Sequence, residues 1–348
     1  MRPSRILTGL TQPAIIFYAL PWVMVLLILG TITQRYAGLY VSEHLFFSSF
    51  IFWFRGVPLP GMLSILALLG VSLIAKIILK SPWRRPMIGT LITHLGALLL
   101  LLGGLLTAVT SHEGNMVLAA GQAQNFFTDY HQRELVVMKN GGVVFTCSVA
   151  QLRKGDVIHD AALPFQLSLQ TICRNCDLAR EERLLKLSEL PPNKTDEANR
   201  AGIAFNLSDG LASRDYTALE SAPPVEIKRG KDRYGIAIQK HAYDLPFAVR
   251  LDELREDQYP GTDIAREYQS LVTITDGAVH WQAPIRMNEP LRYRGYTFYQ
   301  AEIDQVGPQR LSVLAVVRNT GRVFPYIAGL VMAVGMITHL MISRKIAP

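Results

Sequence analysis

The sequence predicts a polytopic membrane protein with four transmembrane α-helices and a large extracytoplasmic, mainly β domain. Three observations in its 348 residues predict this. Four long stretches carry no charge, the intervening middle carries hairpin signals, and Lys and Arg cluster at one set of span ends.

The charge-free stretches are Ile6 to Gln34, Gly56 to Ala75, Met87 to Ser111 and Val323 to Ser343. Each supplies the roughly 20 apolar residues that a helix needs to cross a bilayer core. They place spans at about residues 12–33, 58–78 and 87–110 within a membrane region of residues 1–110, and a fourth span in a closing segment of residues 323–348. The first stretch follows Arg2 and Arg5, as a secretory signal would. Its apolar run is far longer than a signal core and no small-x-small cleavage site follows, so it is expected to stay in the mature protein.

Arg2 and Arg5 precede span one, Lys76, Lys80, Arg84 and Arg85 lie between spans two and three, and Arg344 and Lys345 follow span four. Positive charge marks the cytoplasmic side, so both termini are expected in the cytoplasm and residues 111–322 on the far side of the cytoplasmic (inner) membrane. The formal net charge of +7 partly follows from this topology, and nucleic acid is not an expected partner. The cytoplasmic parts are too short to form a domain, which counts against a receptor signalling inward. No phosphate-cradling glycine loop, H-E-x-x-H pair or G-x-S-x-G elbow is present, so neither an ATPase nor a self-contained hydrolase is indicated.

Within residues 111–322, "ELVVMKNGGVVFTCSV" and "SLVTITDGAVHWQAPI" set Asn140-Gly141 and Asp276-Gly277 between β-prone runs, a two-residue hairpin signal. "RYRGYTFYQ" and "RLSVLAVVRN" read as strands, the former with Arg292 and Arg294 on a solvated face. Between Asp177 and Gly235 the alternation weakens. There "AREERLLKLSEL" reads as a short amphipathic helix, and "PPNKTDEANRAG" and "SAPPVEIKRGKDR" read as loops. "LPFQLSL" at Leu163 and "LPFAVRL" at Leu245 are a short internal match, which chance also accounts for. Val41 to Leu59 is aromatic and amphipathic and reads as an interfacial helix, with a partner contact as the alternative.

Three groups of residues carry chemistry. His94 lies inside the third span, in "TLITHLGALLLLLGG". An ionisable group there usually faces the protein interior and has a partner, either a functional one or a hydrogen bond from a neighbouring helix. His339 lies in the fourth span, in "VGMITHLMISRK", and either serves with His94 or snorkels to the headgroups. Cys173 and Cys176 form a C-x-x-C followed by Asp177, which excludes a c-type haem attachment motif. The pair reads either as a thiol-exchange site or as a disulfide clamping a loop. The remaining histidines, at 44, 112, 131, 159, 241 and 280, read as surface residues.

"MNEPLRYRGYTFYQAEID", together with "LPFAVRLDELRED" before it and a last span soon after, resembles the ResB (CcsB) family of System II cytochrome c biogenesis. The layout of three spans, a β-rich domain and one closing span matches nearly the whole chain, whereas Leu163 to Gly235 matches poorly. The resemblance implies a subunit of a cytochrome c haem lyase that is not autonomous. With a CcsA (ResC) partner, such a subunit moves haem b across the membrane for covalent attachment to apocytochrome c. It also implies that the third-span histidine is a ligand of the haem iron, and His94 occupies that place. In the family the partner usually supplies the second membrane ligand; an intrachain His94/His339 pair is an alternative that follows from their expected common depth. Arg84, Arg85, Arg344 and Lys345 are positioned for haem propionates, although topology alone accounts for them. The four tryptophans, at 22, 53, 83 and 281, form no run of the kind the partner carries. Two rival functions stay open. One is a b-type haem electron-transfer subunit; the other is a membrane-anchored thiol-disulfide or apocytochrome chaperone that uses Cys173 and Cys176 with a thioredoxin-like reductase.

Overall fold

A computed structural model describes residues 9–80, 84–181, 184–208, 213–261 and 265–346. Arg2, Arg5 and Trp83 lie outside the described residues. The chain divides into two compact units, Met1–His112 with Arg318–Pro348, and Glu113–Val317.

The first unit holds four helices long and apolar enough to cross a membrane. These are α1 (Ala14–Ala37), α2 (Met62–Leu79), α3 (Ile88–Thr110) and α4 (Phe324–Ile346). Helix α1 ends at Gly38, whose φ of 89° is open to glycine but strained for other residues. The chain then turns back: the hydroxyl of Ser42 donates to the Gly30 carbonyl at 2.7 Å, and Phe47 fills the space that a side chain on Gly30 would need.

The segment from Val41 to Leu59 is not the single interfacial helix that its composition suggests. Helical turns over Leu39–Ser42 and Glu43–Phe47 are followed by a hairpin of β1 (Ile51–Phe54) and β2 (Val57–Pro60). Arg55 and Gly56 close it with φ of 48° and 83°, the type I′ geometry that matches strand twist.

Helices α3 and α4 pack antiparallel along a row of glycines spaced by seven. A Cβ on Gly89 would collide with the backbone of His339, one on Gly96 would lie 2.5 Å from Met332 Cγ, and one on Gly103 would collide with Phe324. Seven residues are nearly two helical turns, so all three glycines lie on one face. Such small residues let two helix backbones approach closely in a medium where apolar burial alone drives no association.

The second unit is built almost entirely from strands. They are β3 (His112–Ala119), β4 (Ala123–Lys139), β5 (Gly142–Ser148), β6 (Val157–Ile158), β7 (Gln166–Cys173), β8 (Cys176–Glu181), β9 (Leu184–Glu189) and β10 (Gly202–Ser208), then β11 (Ser213–Leu219), β12 (Val225–Arg229), β13 (Asp232–Gln258), β14 (Ala265–Asp276), β15 (Val279–Arg286), β16 (Leu291–Tyr293), β17 (Tyr296–Val306) and β18 (Gln309–Arg318). One sheet runs β15-β14-β13-β4-β3-β18-β17-β16, with β12 on β13 and β5 on β4; a second runs β11-β10-β7-β6.

Two cores result, and β4 and β13 run through both. Tyr234, Ile236 and Ile238 of β13 join Leu135 and Val137 of β4 against Leu167, Leu169, Ile203 and Phe205. Further along β13, Leu245, Phe247, Val249 and Leu251 join Phe127, Phe298 and Leu314 in the other core. The two "LPF" stretches thus bury alternate residues in different cores, one in each.

Four local readings need correction. Within "AREERLLKLSEL", the described residues 179–181 and 184–189 lie in the paired strands β8 and β9 rather than in a helix, and Leu178 and Leu187, opposite each other, pack on the Cys173–Cys176 cluster; Glu182 and Arg183 lie outside the described residues. "SAPPVEIKRGKDR" contains β12 and the start of β13, with Ile227 opposite Tyr234 and Gly230 at φ 60° in the turn. "RYRGYTFYQ" is two strands, since Arg294 and Gly295 take φ of 46° and 85° and set Tyr293 opposite Tyr296. The hairpin near Asp276 turns at Gly277-Ala278, one residue later than Asp-Gly implies, because Asp276 itself pairs with Val279.

Gly96→Leu is predicted to disrupt the α3–α4 seam, lowering stability in detergent by about 1–3 kcal/mol through overpacking. Gly104→Leu, at a position where nothing lies within 4 Å of an added Cβ, is predicted to stay within about 0.5 kcal/mol of the parent. Equal thermal shifts for the two variants would contradict this packing.

Candidate functional site

The rotation of α3 decides which way His94 faces. At 100° per residue, His94 lies about 140° around the helix from Gly89 and so points away from the seam with α4. It shares its face with Leu101, seven residues on, whose Cδ1 lies 3.9 Å from the position of a Cβ on Gly70 in α2. His94 is partly buried and its Nδ1 is fully shielded from solvent, yet among the described residues that nitrogen has no hydrogen-bond partner. An unsatisfied buried polar atom costs about 1–3 kcal/mol, which makes this nitrogen a candidate position for a ligand.

His339 sits differently. Its backbone crosses Gly89, its ring is exposed, and its Nδ1 lies 3.3 Å from Thr90 Oγ1. The hydrogen bond to a neighbouring helix that the sequence allowed for His94 is therefore made by His339. The level of His339 is that of Gly89, five residues or about 7.5 Å along α3 from His94. This arrangement does not bring the two imidazoles together, because they differ in both face and depth. Arg84 and Arg85 are exposed ahead of α3, and Arg344 is exposed near the end of α4; the Lys345 side chain lies outside the described residues.

In the β unit, Cys173 and Cys176 are joined in a disulfide at the β7–β8 turn. Both are buried, 3% and 1% exposed, with Leu219, Leu178 and Leu187 around them. Cys147 is a free, half-buried thiol, raised in pKa by burial and then by the Glu134 charge. That shift disfavours the nucleophilic thiolate.

A charged cluster between the two cores was not foreseen. Arg133 is buried on β4, its Nε donating to Glu220 at 3.0 Å and its Nη1 lying 3.5 Å from Asp196. Asp196 also accepts from Arg174 at 2.6 Å, and lies 2.8 Å from His131 Nδ1. His241 Nδ1 lies 2.6 Å from Glu134. The histidines at 131 and 241, read as surface residues, are thus held by carboxylates. The cue in sequence was Arg133 itself, an arginine preceding the apolar run of β4; its acidic partners lie 63 and 87 residues away, at distances no local pattern reports.

Comparison with known proteins places part of the chain. Residues 225–309 match the ResB-like family model. This segment is ResB-like. It runs from β12 into the β17–β18 turn and so holds much of one core together with the Arg294-Gly295 hairpin. Protein NrfI of Wolinella succinogenes is 28% identical over 99 residues, which are 28% of this chain and 11% of that relative's length. The chain thus spans about a ninth of that relative, and His94 lies outside the ResB-like segment.

In the ResB-like segment, Tyr293, Arg294, Tyr296 and Phe298 of "RYRGYTFYQ" have structural work. Tyr293 donates to Asp276 at 2.7 Å, Arg294 pairs with the same carboxylate at 2.7 Å, and Tyr296 and Phe298 pack on Phe247. Gln300, Ser270 and Ser312 are buried and hydrogen-bonded to one another, satisfying polar groups inside that core.

The Asp196 cluster makes a pH prediction. Burial raises the Asp196 carboxyl, but hydrogen bonds from Asn199, His131 and Arg174 and the Arg174 charge outweigh it and hold the pKa at about 2. A depressed folded-state pKa adds stability that is complete above the unfolded value, about 3.9, and is lost as pH falls through about 2. Denaturation of the full chain is predicted to show that Asp196→Asn removes part of the stability at pH 6 and flattens its loss between pH 4 and 2. An unchanged acid limb in the variant would contradict the assignment.

Proposed function

We propose that this chain is a ResB-like component of cytochrome c biogenesis which binds haem b within the membrane through His94 and presents it for attachment to apocytochrome c. The observation that carries the reading is the buried, unpartnered Nδ1 of a histidine inside an apolar span. The match of residues 225–309 and the similarity to Protein NrfI support the wider role in biogenesis.

Haem here is cargo, and the residues present suit it. A neutral imidazole is a good axial ligand for haem iron, and His94 is turned from the α4 seam, so its ring is not committed there. Either ring nitrogen can ligate, with the other then open to a donor or acceptor from a partner. His339, occupied near Thr90 and on another face, is not the second ligand in this proposal. That position falls to a CcsA-like integral-membrane partner. In this reading the positive charge at Lys76, Lys80, Arg84 and Arg85 marks the cytoplasmic side, and the β unit works outside. The β unit then positions apocytochrome c, and the lipid bilayer surrounds the helices.

The disulfide is assigned a structural role. An attacking thiolate needs access to a sulfur atom, and both are enclosed by leucines. The Cys173–Cys176 link closes the turn from which the β8–β9 hairpin starts, in place of the exchange chemistry that a C-x-x-C also allows.

In a strain lacking the chromosomal copy, His94→Ala is predicted to reduce covalent c-type cytochromes by at least on the order of tenfold, with chain levels unchanged and partial recovery on adding imidazole. His339→Ala is predicted to leave them near the parent level. The double variant Cys173→Ser, Cys176→Ser is predicted to lower stability but keep the chemistry in whatever protein remains folded. A harmless His94→Ala combined with loss of maturation in the folded double-serine protein would overturn the reading in favour of thiol exchange.

A further inference from the structure

We propose that the β1–β2 hairpin is a lipid-binding anchor, bedded at the headgroup–acyl boundary of the leaflet where α2 begins and α3 ends. The proposal needs only that the four helices cross a membrane, and does not depend on haem.

Its depth follows from helix register. Gly70 of α2 meets Leu101 of α3, so in antiparallel packing Met62 comes level with Val109. Phe324, the first residue of α4, lies against Gly103. The start of α2, the end of α3 and the start of α4 therefore fall within about two helical turns of one level. The hairpin immediately precedes α2 and is fastened there. Trp22 Nε1 donates to the Pro60 carbonyl at 2.9 Å, Gly61 N to Phe50 O at 2.8 Å, and Ser64 Oγ to Phe50 O at 2.6 Å.

Its apolar surface and its backbone edges make opposite demands. Phe52 is 3% exposed, packed with Leu26 and Phe46. Ile51, Trp53, Phe54 and Val57 are 59%, 68%, 56% and 55% exposed, an apolar set that water does not favour. A two-stranded hairpin also has outer edges whose backbone groups its own pairing leaves unused, and hydrocarbon does not tolerate these. The interface satisfies both demands, offering acyl chains to the rings and hydrated headgroups to the edges. Its residue types are those of that zone, a tryptophan beside phenylalanines and a tip arginine. Arg55 lies 5.8 Å from the Phe54 ring centroid, placed for its guanidinium to reach lipid phosphate as the ring goes deeper.

The test uses the purified full chain in phosphatidylcholine–phosphatidylglycerol nanodiscs, reading the tryptophan emission that is lost on Trp53→Phe. That emission is expected to be quenched about twofold more by lipids brominated near the headgroup than by lipids brominated near the chain ends, and to be shielded from iodide. Phe54→Trp provides a second reporter with the same expected profile if Trp53→Phe does not fold. Strongest quenching by deep bromines would overturn the proposal. So would insensitivity to lipid bromine, whether with access to iodide, meaning water, or without it, meaning cover by protein or by a second copy.

Discussion

The membrane unit depends on the absence of a Cβ at Gly89, Gly96 and Gly103 of α3 and at Gly335 of α4, where the two helices approach too closely to admit one. Close contact there fixes the rotation of α3 about its axis. Rotation in turn decides that Thr90 and Thr93 meet α4 while His94 does not. A histidine on the seam would find helix hydrogen bonds, as His339 does. Turned the other way, it keeps a nitrogen that no described residue satisfies, in a medium with few donors or acceptors, and the proposed haem-binding role rests on that deficit.

The β unit solves a different problem, that of joining two cores without two independent domains. Strands β4 and β13 are long enough to pass through both, and each changes register where one core gives way to the other. Charged residues collect between the cores. Arg133, Asp196 and Glu220 are buried together, and the ions are tolerable because each also has hydrogen bonds to backbone groups or to neighbouring side chains. Removing Arg133 would take the guanidinium from buried Glu220, whereas Asp196 would keep its contact with Arg174. The cluster therefore belongs to the stability of the unit, and its histidines are drawn into the same role.

Much of this was legible in the sequence. The four charge-free stretches gave four helices, and Asn140-Gly141 gave its hairpin because asparagine and glycine both accept positive φ. The hairpins at Arg55-Gly56 and Arg294-Gly295 were missed because arginine rarely adopts that conformation; the glycine after each was the only cue. The helix expected over residues 179–190 failed because its leucines satisfy a helical period on paper, while beside the disulfide the described residues 179–181 and 184–189 pair as strands, with Leu178 opposite Leu187. His94 stood out by residue type. Its direction did not, although three glycines spaced by seven were present as a signal for the seam that sets it. The Arg133 cluster was illegible because its members come from four separated parts of the chain.

The central claim, that His94 alone of the two span histidines is open to haem iron, is tested most directly by magnetic resonance. Chain labelled with ¹⁵N-histidine in lipid bilayers, its His94 and His339 signals assigned by substitution, would be titrated with a diamagnetic haem analogue. The account predicts a ring-nitrogen shift at His94 and none at His339. A stationary His94 signal, or movement at His339 instead, would contradict it.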